Sequence, residues 1–266
     1  MKKNVLFFSP TFYELPLNEN IKKKYDNLSE VANVTVLAFS SQKKIHTESK
    51  TTFYFNKKNK SRIFNYLKIF FVSYFQMSKL ISQHEIEIVT FQDPVTSFLG
   101  VYKIKKKHKD VKIVIESHGD FINTLELEKN LTFPNLYKNL FSKMASYTIN
   151  CADMLRAVSS STEKQALSFD PSKRVVRFPA WIDFEIFSNI EPQRDNKGKF
   201  KILFIGSVTD RKKPHMIIDA LPELINDEVE LNIVGPTPNQ NYLESLQGKI
   251  KSQNVEDRVF IHGNKN

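Results

Sequence analysis

The feature that most constrains the fold is an alternation of short apolar runs with longer amphipathic segments. The apolar runs predict strands, and they lie at residues 4–9, 33–39, 51–55, 87–91, 111–116, 154–159 and 175–178. Most of the segments between them carry apolar residues three or four positions apart, which is typical of helices with one packed face. Strands that alternate with helices predict βαβ units and a parallel sheet. We therefore expect an α/β protein.

A second series of the same kind follows a polar segment. Residues 189–199 contain Pro192 and Gly198 and show no periodicity, which predicts a linker. After it, strands are expected at residues 201–205, 229–234 and 258–261, with helices at 214–225 and 241–252. Such a series is about half of an ordinary doubly wound domain. The expected organisation is a complete Rossmann-like domain at residues 1–188, a linker at 189–199 and a partial second Rossmann-like domain at 200–266.

The longest amphipathic segment is rich in aromatic residues. Its apolar positions define one face of a helix, formed by Ile63, Leu67, Phe70, Tyr74, Met77 and Ile81. Core packing explains this face. Contact with an anionic membrane surface, aided by the lysine clusters at 57–60 and 103–109, also explains it. We favour core packing.

The chain is basic, with a formal net charge of +10. A nucleic acid, an anionic membrane, a phosphorylated substrate or merely a solvated lysine-rich surface would account for this charge. No recognised nucleic-acid-binding motif occurs, so we expect no nucleic-acid partner. The apolar run at residues 5–8 is too short for a signal peptide, and the single cysteine, Cys151, suits a reducing compartment. We expect a cytoplasmic protein that is at most peripheral on the inner face of the cell membrane.

The loops at the carboxyl ends of the predicted strands are the first places to look for a ligand site. Segment 206–214 joins a strand to a helix, with Gly206 at its start and the cations Arg211, Lys212 and Lys213 after it. Glycine allows the backbone to turn closely, and a helix N-terminus offers unpaired N–H groups. The segment suits a diphosphate, although an ordinary loop with solvated lysines explains it equally well.

Two further strand ends carry polar residues. Segment 235–240 begins with Gly235 and could flank a base or ribose, or be a proline-stiffened connection. Segment 117–120 contains His118, which could bind a sugar hydroxyl, carry a proton or cap a turn. The histidines show no spacing typical of a zinc site, so no metal is expected. No GxGxxG or Walker-type lysine motif occurs either, which counts against a dinucleotide oxidoreductase or a P-loop enzyme, and no cofactor is expected.

Taken in order, four stretches resemble the family 4 glycosyltransferases, which are retaining enzymes of GT-B fold that use nucleotide-diphosphate sugars. The stretches are residues 91–94, 113–120 (IVIESHGD), 152–159 with 178–187, and 202–221 with 231–235. The resemblance covers nearly the whole chain. It implies a GT-B-like fold and a hexosyltransferase that transfers sugar with retention, without a metal, to a glycan or lipid-linked acceptor of surface polysaccharide or glycolipid.

The resemblance also implies roles for individual residues. His118 would lie beside the transferring sugar, and Glu14 and Asp120 would lie on the acceptor side. The donor-binding residues would be Gly206, Ser207, Arg211 and Lys212 at the diphosphate and Gly235 and Thr237 near the nucleoside.

Departures from the family pattern leave an alternative open. Ser207 stands where the family usually has arginine, so that Arg211 would have to substitute from another position. The family's two-glutamate donor segment would lie beyond Asn266, so we expect the chain to stop within the donor lobe. The alternative function is therefore a non-catalytic remnant, or one subunit of a split glycosyltransferase that needs a partner chain.

Overall fold

The computed structural model describes residues 2–59, 61–122, 134–188, 200–224 and 229–265. The chain divides into two compact units, Met1–Ser188 and Asn189–Asn266, which are described separately below as unit 1 and unit 2. The predicted linker at residues 189–199 lies outside the described residues. The predicted α/β class is confirmed.

Unit 1 is built on one eight-stranded sheet. Its strands are β1 (Lys3–Tyr13), β2 (Ala32–Ser40), β3 (Lys44–Glu48), β4 (Thr51–Lys57), β5 (Ile88–Phe91), β6 (Lys112–Ser117), β7 (Met154–Ala157) and β8 (Val175–Arg177). Their order in the sheet is β3-β4-β2-β1-β5-β6-β7-β8, and all neighbours are parallel except β3 and β4. Because β1 lies next to both β2 and β5, the chain reverses its direction across the sheet there, which is where open α/β sheets bind ligands.

Helices follow most of these strands along the chain. They are α1 (Glu19–Val31), α2 (Arg62–Gln83), α3 (Phe98–Lys107), α4 (Pro134–Cys151), α5 (Ser160–Phe169) and the single turn α6 (Glu185–Ser188). The side chain of Asn18 starts α1 by accepting a hydrogen bond from the backbone N–H of Ile21 at 2.9 Å. Ser159 and Thr162 form a capping box at the start of α5.

The sheet of unit 1 has a core on each face. On one face, Tyr25 of α1 packs edge to face against Phe53 of β4, with ring centroids 5.0 Å apart. On the other face, Phe8 and Phe91 are fully buried together with residues of α2, α3 and α4. Strand β2 is buried at every position from Val34 to Ser40, as expected for a strand covered on both sides.

Helix α2 partly corrects the predicted buried face. Met77 and Ile81 are buried as expected, but Leu67 is 48% exposed. The large exposed side chains of α2 are Phe64, Leu67, Phe71 and Phe75, which recur three or four positions apart on the side opposite the core. Core packing therefore accounts for only part of the apolar content of this helix. None of the helices in the described ranges is long and apolar enough to cross a membrane.

Unit 2 contains a three-stranded parallel sheet. Its strands are β9 (Phe200–Ile205), β10 (Val229–Val234) and β11 (Val259–Gly263), in the order β11-β10-β9, and its helices are α7 (Pro214–Ala220) and α8 (Gln240–Ser252). Helix α7 ends earlier than predicted and continues as a 3₁₀ turn at Leu221–Glu223, because Pro222 cannot extend an α-helix. The predicted helical position 225 lies outside the described residues. The core is formed by Val208, Ile218, Leu221, Leu231, Ile233, Leu246, Ile250, Val255 and Val259.

Candidate functional site

A cavity of about 550 Å³ opens in unit 1 at the carboxyl ends of β1, β5 and β6. It is lined by Pro10, Thr11, Phe12, Tyr13, Glu14, Leu17, Asn18, Ile21, Lys24, Gln92 and His118. Its volume falls in the ordinary range of small-molecule sites. Two of the residues predicted from sequence, Glu14 and His118, therefore share one cavity, together with Lys24 of α1.

A carboxylate contacts the imidazole ring of His118. Its Nε2 lies 2.6 Å from Oε2 of Glu116, two residues earlier in β6. The same oxygen accepts a hydrogen bond at 2.9 Å from Nη1 of Arg156. Glu116 and Arg156 occupy paired register positions on the adjacent strands β6 and β7, which explains why residues 40 positions apart meet. His118 itself is 39% exposed at its side chain and so remains accessible from the cavity.

Glu116 and Arg156 form a buried ion pair, with 7% and 9% of each residue exposed. Burial opposes ionisation of Glu116, but the hydrogen bond from His118 and the positive charges of Arg156 and Lys24 outweigh it and lower the pKa of this carboxyl. Arg156 also donates from Nη2 to the backbone oxygen of Pro179 at 2.9 Å, and its guanidinium lies 4.1 Å from the ring centroid of Phe178. Arg156 is thus held in place by contacts with Glu116, Pro179 and Phe178.

Lys24 contributes a second cation to the cavity wall. Burial lowers its pKa; the negative charge of Glu116 acts in the opposite direction, while the positive charge of Arg156 lowers the pKa further. Among the described residues no carboxylate lies within ion-pair distance of Lys24. An anionic group in the cavity would therefore raise this pKa again.

The strand-end segment after β5 is held by Asp93. Its Oδ1 accepts hydrogen bonds from the backbone N–H groups of Val95 at 2.9 Å and Thr96 at 2.6 Å. Burial nevertheless raises the pKa of this carboxyl, against the effect of those hydrogen bonds. Next to it, Gln92 accepts a hydrogen bond from the hydroxyl of Ser9 at 2.5 Å, which joins β1 to the end of β5.

Asp120, the other residue predicted for the acceptor side, is not among the residues that line the cavity. It is exposed and accepts hydrogen bonds from the backbone N–H of Ile122 at 3.1 Å and from the side chain of Gln165 at 2.6 Å. The structure therefore gives Asp120 a role in holding the turn after β6.

Glycine residues meet at the carboxyl ends of the strands in unit 2. The N–H of Gly206 donates to the oxygen of Val234, and that of Gly235 donates to the oxygen of Gly263, at 2.9 and 2.8 Å. Gly206 and Gly235 have φ angles of +151° and +147°, which side-chain-bearing residues rarely adopt. A Cβ at position 235 would lie 2.0 Å from the oxygen of Gly206, so the two loops pack backbone to backbone.

The predicted diphosphate residues lie beside this contact along the chain. Arg211 and Lys212 are exposed in a 3₁₀ turn at Asp210–Lys212, and Lys213 follows with a φ angle of +51°. Ser207 donates from Oγ to the oxygen of Pro236 at 3.5 Å, which joins the two loops again. Thr237, the residue after Pro236, is half-buried. The donor-side residues predicted from sequence thus belong to two adjoining loops.

Glu116, Arg156 and Lys24 were not predicted from the sequence as residues of the site. A signal for the first two was present, because each is a charged residue inside an otherwise apolar predicted strand, and burial requires such charges to be paired. Lys24 was hidden in a run of three lysines. Within the part of the chain that the structure describes, no group of three His, Cys, Asp or Glu side chains is arranged to hold a metal ion.

Comparisons with known structures identify the fold. The sucrose-phosphate synthase of Thermosynechococcus elongatus matches 100% of this chain and 71% of its own, with a TM-score of 0.70 and 11% identity. HepE of Anabaena in complex with UDP matches 98% of this chain and 69% of its own, with a TM-score of 0.63 and 14% identity. The match to the lipopolysaccharide outer core galactosyltransferase WaaB covers 99% of this chain and 68% of WaaB, with a TM-score of 0.60 and 18% identity. The predicted GT-B-like fold is therefore confirmed.

Sequence comparisons identify the family. No curated protein is similar enough in sequence to match the chain. The family model described as Glycosyl transferases group 1 matches residues 186–266, and the model described as Glycosyltransferase Family 4 matches residues 30–186. Because the second model alone spans more than half of the sequence, the chain belongs to the glycosyltransferase family that this model describes.

Proposed function

We propose that this protein transfers a sugar from a nucleotide-diphosphate sugar, with retention, to a glycan or lipid-linked acceptor during the synthesis of surface polysaccharide or glycolipid. The observation that carries the proposal is the backbone contact between Gly206 and Gly235, with the cationic residues Arg211 and Lys212 in the loop that follows Gly206. Loops without side chains at their strand ends let a diphosphate approach backbone N–H groups closely. Cationic side chains would then stabilise the negative charge that develops on the leaving diphosphate.

Two similar proteins support the choice of substrates. HepE of Anabaena was solved in complex with UDP, and also with UDP and glucose. WaaB is a galactosyltransferase of the lipopolysaccharide outer core. In the proposed mechanism the acceptor hydroxyl attacks the anomeric carbon of the donor sugar on the face from which the diphosphate departs, and its proton passes to the departing diphosphate. His118 contacts the transferring sugar, Glu14 binds acceptor hydroxyls, and no metal is required.

Calorimetric titration with UDP-, GDP- and ADP-sugars tests the donor site. We expect micromolar binding of one of these donors. Replacing Lys212 by alanine removes a charge-assisted hydrogen bond to the diphosphate and should weaken binding at least about tenfold. The matched control is Lys251→Ala, an exposed lysine at the end of α8, which should leave the dissociation constant unchanged. If no donor binds, the alternative of a non-catalytic chain is favoured.

We also propose that the protein acts at the cytoplasmic surface of the cell membrane, with α2 as the contact. Phe64, Phe71 and Phe75 are each more than half exposed, and Phe71 stacks on Phe75 with ring centroids 6.2 Å apart. The helix contains no acidic residue, and its two lysines, Lys68 and Lys79, are close in sequence to these aromatic residues. An aromatic face flanked by lysines suits the interface of an anionic bilayer.

Vesicle flotation tests the membrane contact. The protein should float with phosphatidylglycerol vesicles and not with phosphatidylcholine vesicles. Replacing Phe71 and Phe75 together by serine removes two exposed rings that would enter the bilayer and should weaken binding at least about tenfold. The control is Ile45→Ser, which removes an equally exposed apolar side chain from β3. Equal flotation of both variants would contradict the proposal.

A split enzyme remains the second candidate function, and one observation favours it. Leu203, Ile205 and Phe260 of unit 2 are exposed on one face of the sheet. A partner chain could cover this apolar face. Sedimentation of the purified protein alone and with the product of a neighbouring gene would decide between a partner and a self-sufficient chain.

A further inference from the structure

The carboxylate of Glu116 lies behind the histidine of the cavity and contacts only one of its ring nitrogens. We infer that Glu116 is a positioning residue that keeps His118 protonated at Nε2, so that Nδ1 is the hydrogen-bond acceptor offered to a hydroxyl of the bound sugar. The substrate in this inference rests on the proposed function. The tautomer does not, because it follows from contacts within unit 1.

The shortest contact decides which atom donates. An ionised carboxylate only accepts hydrogen bonds, so the distance of 2.6 Å between Glu116 Oε2 and His118 Nε2 requires a proton on Nε2. Nη1 of Arg156 lies 3.5 Å from the same Nε2. A guanidinium has only donors, and Nε2 carries the proton that it donates to Glu116, so these two nitrogens do not bond to each other and instead share one carboxylate oxygen.

Arg156 provides the counter-charge of Glu116. It forms the buried ion pair with Glu116 at 2.9 Å, so the carboxylate has its counter-charge without a proton on the second nitrogen of the imidazole. Lys24 adds another positive charge in the same region, since its charge acts on Glu116. A protonated His118 would be a third cation around one buried carboxylate.

A neutral ring with Nε2 protonated has one remaining polar atom, the lone pair of Nδ1. This atom can accept a hydrogen bond from a hydroxyl but cannot donate one to a phosphate. The inference therefore assigns His118 to recognition of hydroxyl groups in the cavity. It also assigns Glu116 and Arg156 to the pair that fixes this orientation, in the manner of buried carboxylates that fix a histidine tautomer elsewhere.

Nitrogen-15 NMR of histidine-labelled protein, without any substrate, tests the tautomer directly. The signals of His118 are those lost in His118→Asn. We expect the Nε2–H tautomer in the unaltered protein at pH 8 and a mixture in Glu116→Ala. Glu116→Gln keeps an accepting oxygen and should recover most of the Nε2–H tautomer. A predominant Nδ1–H tautomer, or the same tautomer mixture with and without Glu116, would overturn the inference.

Two further variants separate positioning from folding. Removing Glu116 leaves the charge of Arg156 buried without a partner, so the double variant Glu116→Gln/Arg156→Met provides a neutral pair that should fold. The control is Glu163→Gln, which breaks the more exposed ion pair with Arg177 on the same unit. That control should leave the tautomer of His118 unchanged.

Kinetics supply the second readout once a donor and an acceptor are known. Glu116→Ala should lower kcat about tenfold to a hundredfold and leave KM for the donor within about twofold, as expected when one hydrogen bond to a charged group is lost. A change in donor KM alone would contradict a positioning role. If the unaltered protein transfers no sugar, the proposed function fails, whereas the tautomer measurement still decides this inference.

Discussion

The sheet of unit 1 is buried on both faces, whereas the sheet of unit 2 presents apolar side chains to solvent on one face. In unit 1, β2 is buried at seven consecutive positions, from Val34 to Ser40. In unit 2, Leu203 and Ile205 of β9 are 57% and 74% exposed, while Ile233 of β10 is fully buried on the other face. The same alternation of strands and helices thus yields one sheet that is covered on both faces and one that is covered on a single face. Residues on both faces of the sheet should therefore contribute to the stability of unit 1, whereas in unit 2 only the residues on one face of the sheet should do so.

The largest effect is expected in the doubly covered sheet. Phe53 is fully buried between the rings of Tyr25 and Phe55. Phe53→Ala should lower the free energy of unfolding by about 3–5 kcal/mol. Trp181, the only tryptophan, lies in unit 1, so its fluorescence during urea unfolding reports this change. A loss below about 1 kcal/mol would show that this side of unit 1 is not a tightly packed core.

A smaller loss is expected at the glycine contact of unit 2. Gly235→Ala forces a Cβ against the oxygen of Gly206 and should cost about 2–4 kcal/mol, from backbone strain and overpacking. Donor binding should be lost in the same variant. The control is Gly248→Ala in α8, where an added Cβ meets nothing within 4 Å and should stabilise the helix by about 0.5–1 kcal/mol. Hydrogen exchange of the β10 amides measures both changes.

The exposed face of unit 2 should be nearly neutral. Leu203→Thr and Ile205→Thr remove apolar surface that water already contacts, and each should change the free energy of unfolding by about 0.5 kcal/mol or less. A loss above about 2 kcal/mol, measured by hydrogen exchange of β10, would mean that this face is covered in solution.

The smallest effects are pH-dependent and opposite in sign in the two units. In unit 1, burial raises the pKa of Asp93, so the folded state binds the proton more tightly and stability falls as pH rises from about 4 through the raised value. In unit 2, hydrogen bonds from Lys249 and Gln253 lower the pKa of exposed Asp219, so its contribution is present above the ordinary value and is lost as pH falls through the lowered one.

Urea unfolding of Asp93→Asn and Asp219→Asn between pH 3 and pH 7 checks both signs. Relative to the unaltered protein, Asp93→Asn should gain stability as pH rises and Asp219→Asn should lose it. A dependence of the same sign in both variants would remove this part of the comparison.

Much of the fold was predictable because its strands are buried and its helices are amphipathic. Strand β10 was predicted with its observed bounds, Val229–Val234, and α8, observed at Gln240–Ser252, was predicted at 241–252. Strand β3 was not predicted, because Lys44–Glu48 is polar and pairs antiparallel with β4 at the edge of the sheet. Edge strands need no apolar alternation, so local periodicity does not reveal them.

The candidate site was predictable only where the residues of a single loop indicate a ligand site by themselves. The adjoining positions of Gly206 and Gly235 follow from two glycines at the ends of adjacent parallel strands. The triad of Glu116, His118 and Arg156 does not follow in this way, because it joins residues of different strands and depends on their register. The roles assigned to all these residues stay predictions until the variants above are measured.

The contact between Gly206 and Gly235 has a consequence for mutational tolerance. Every amino-acid replacement at codon 235 introduces a Cβ, and the nearest atom it would meet belongs to the backbone and cannot rotate away. Saturation mutagenesis should therefore return glycine alone at this position. At codon 248, by contrast, many residues should survive selection. Positions 235 and 248 therefore provide an intolerant and a tolerant reference position within any mutant library of this gene.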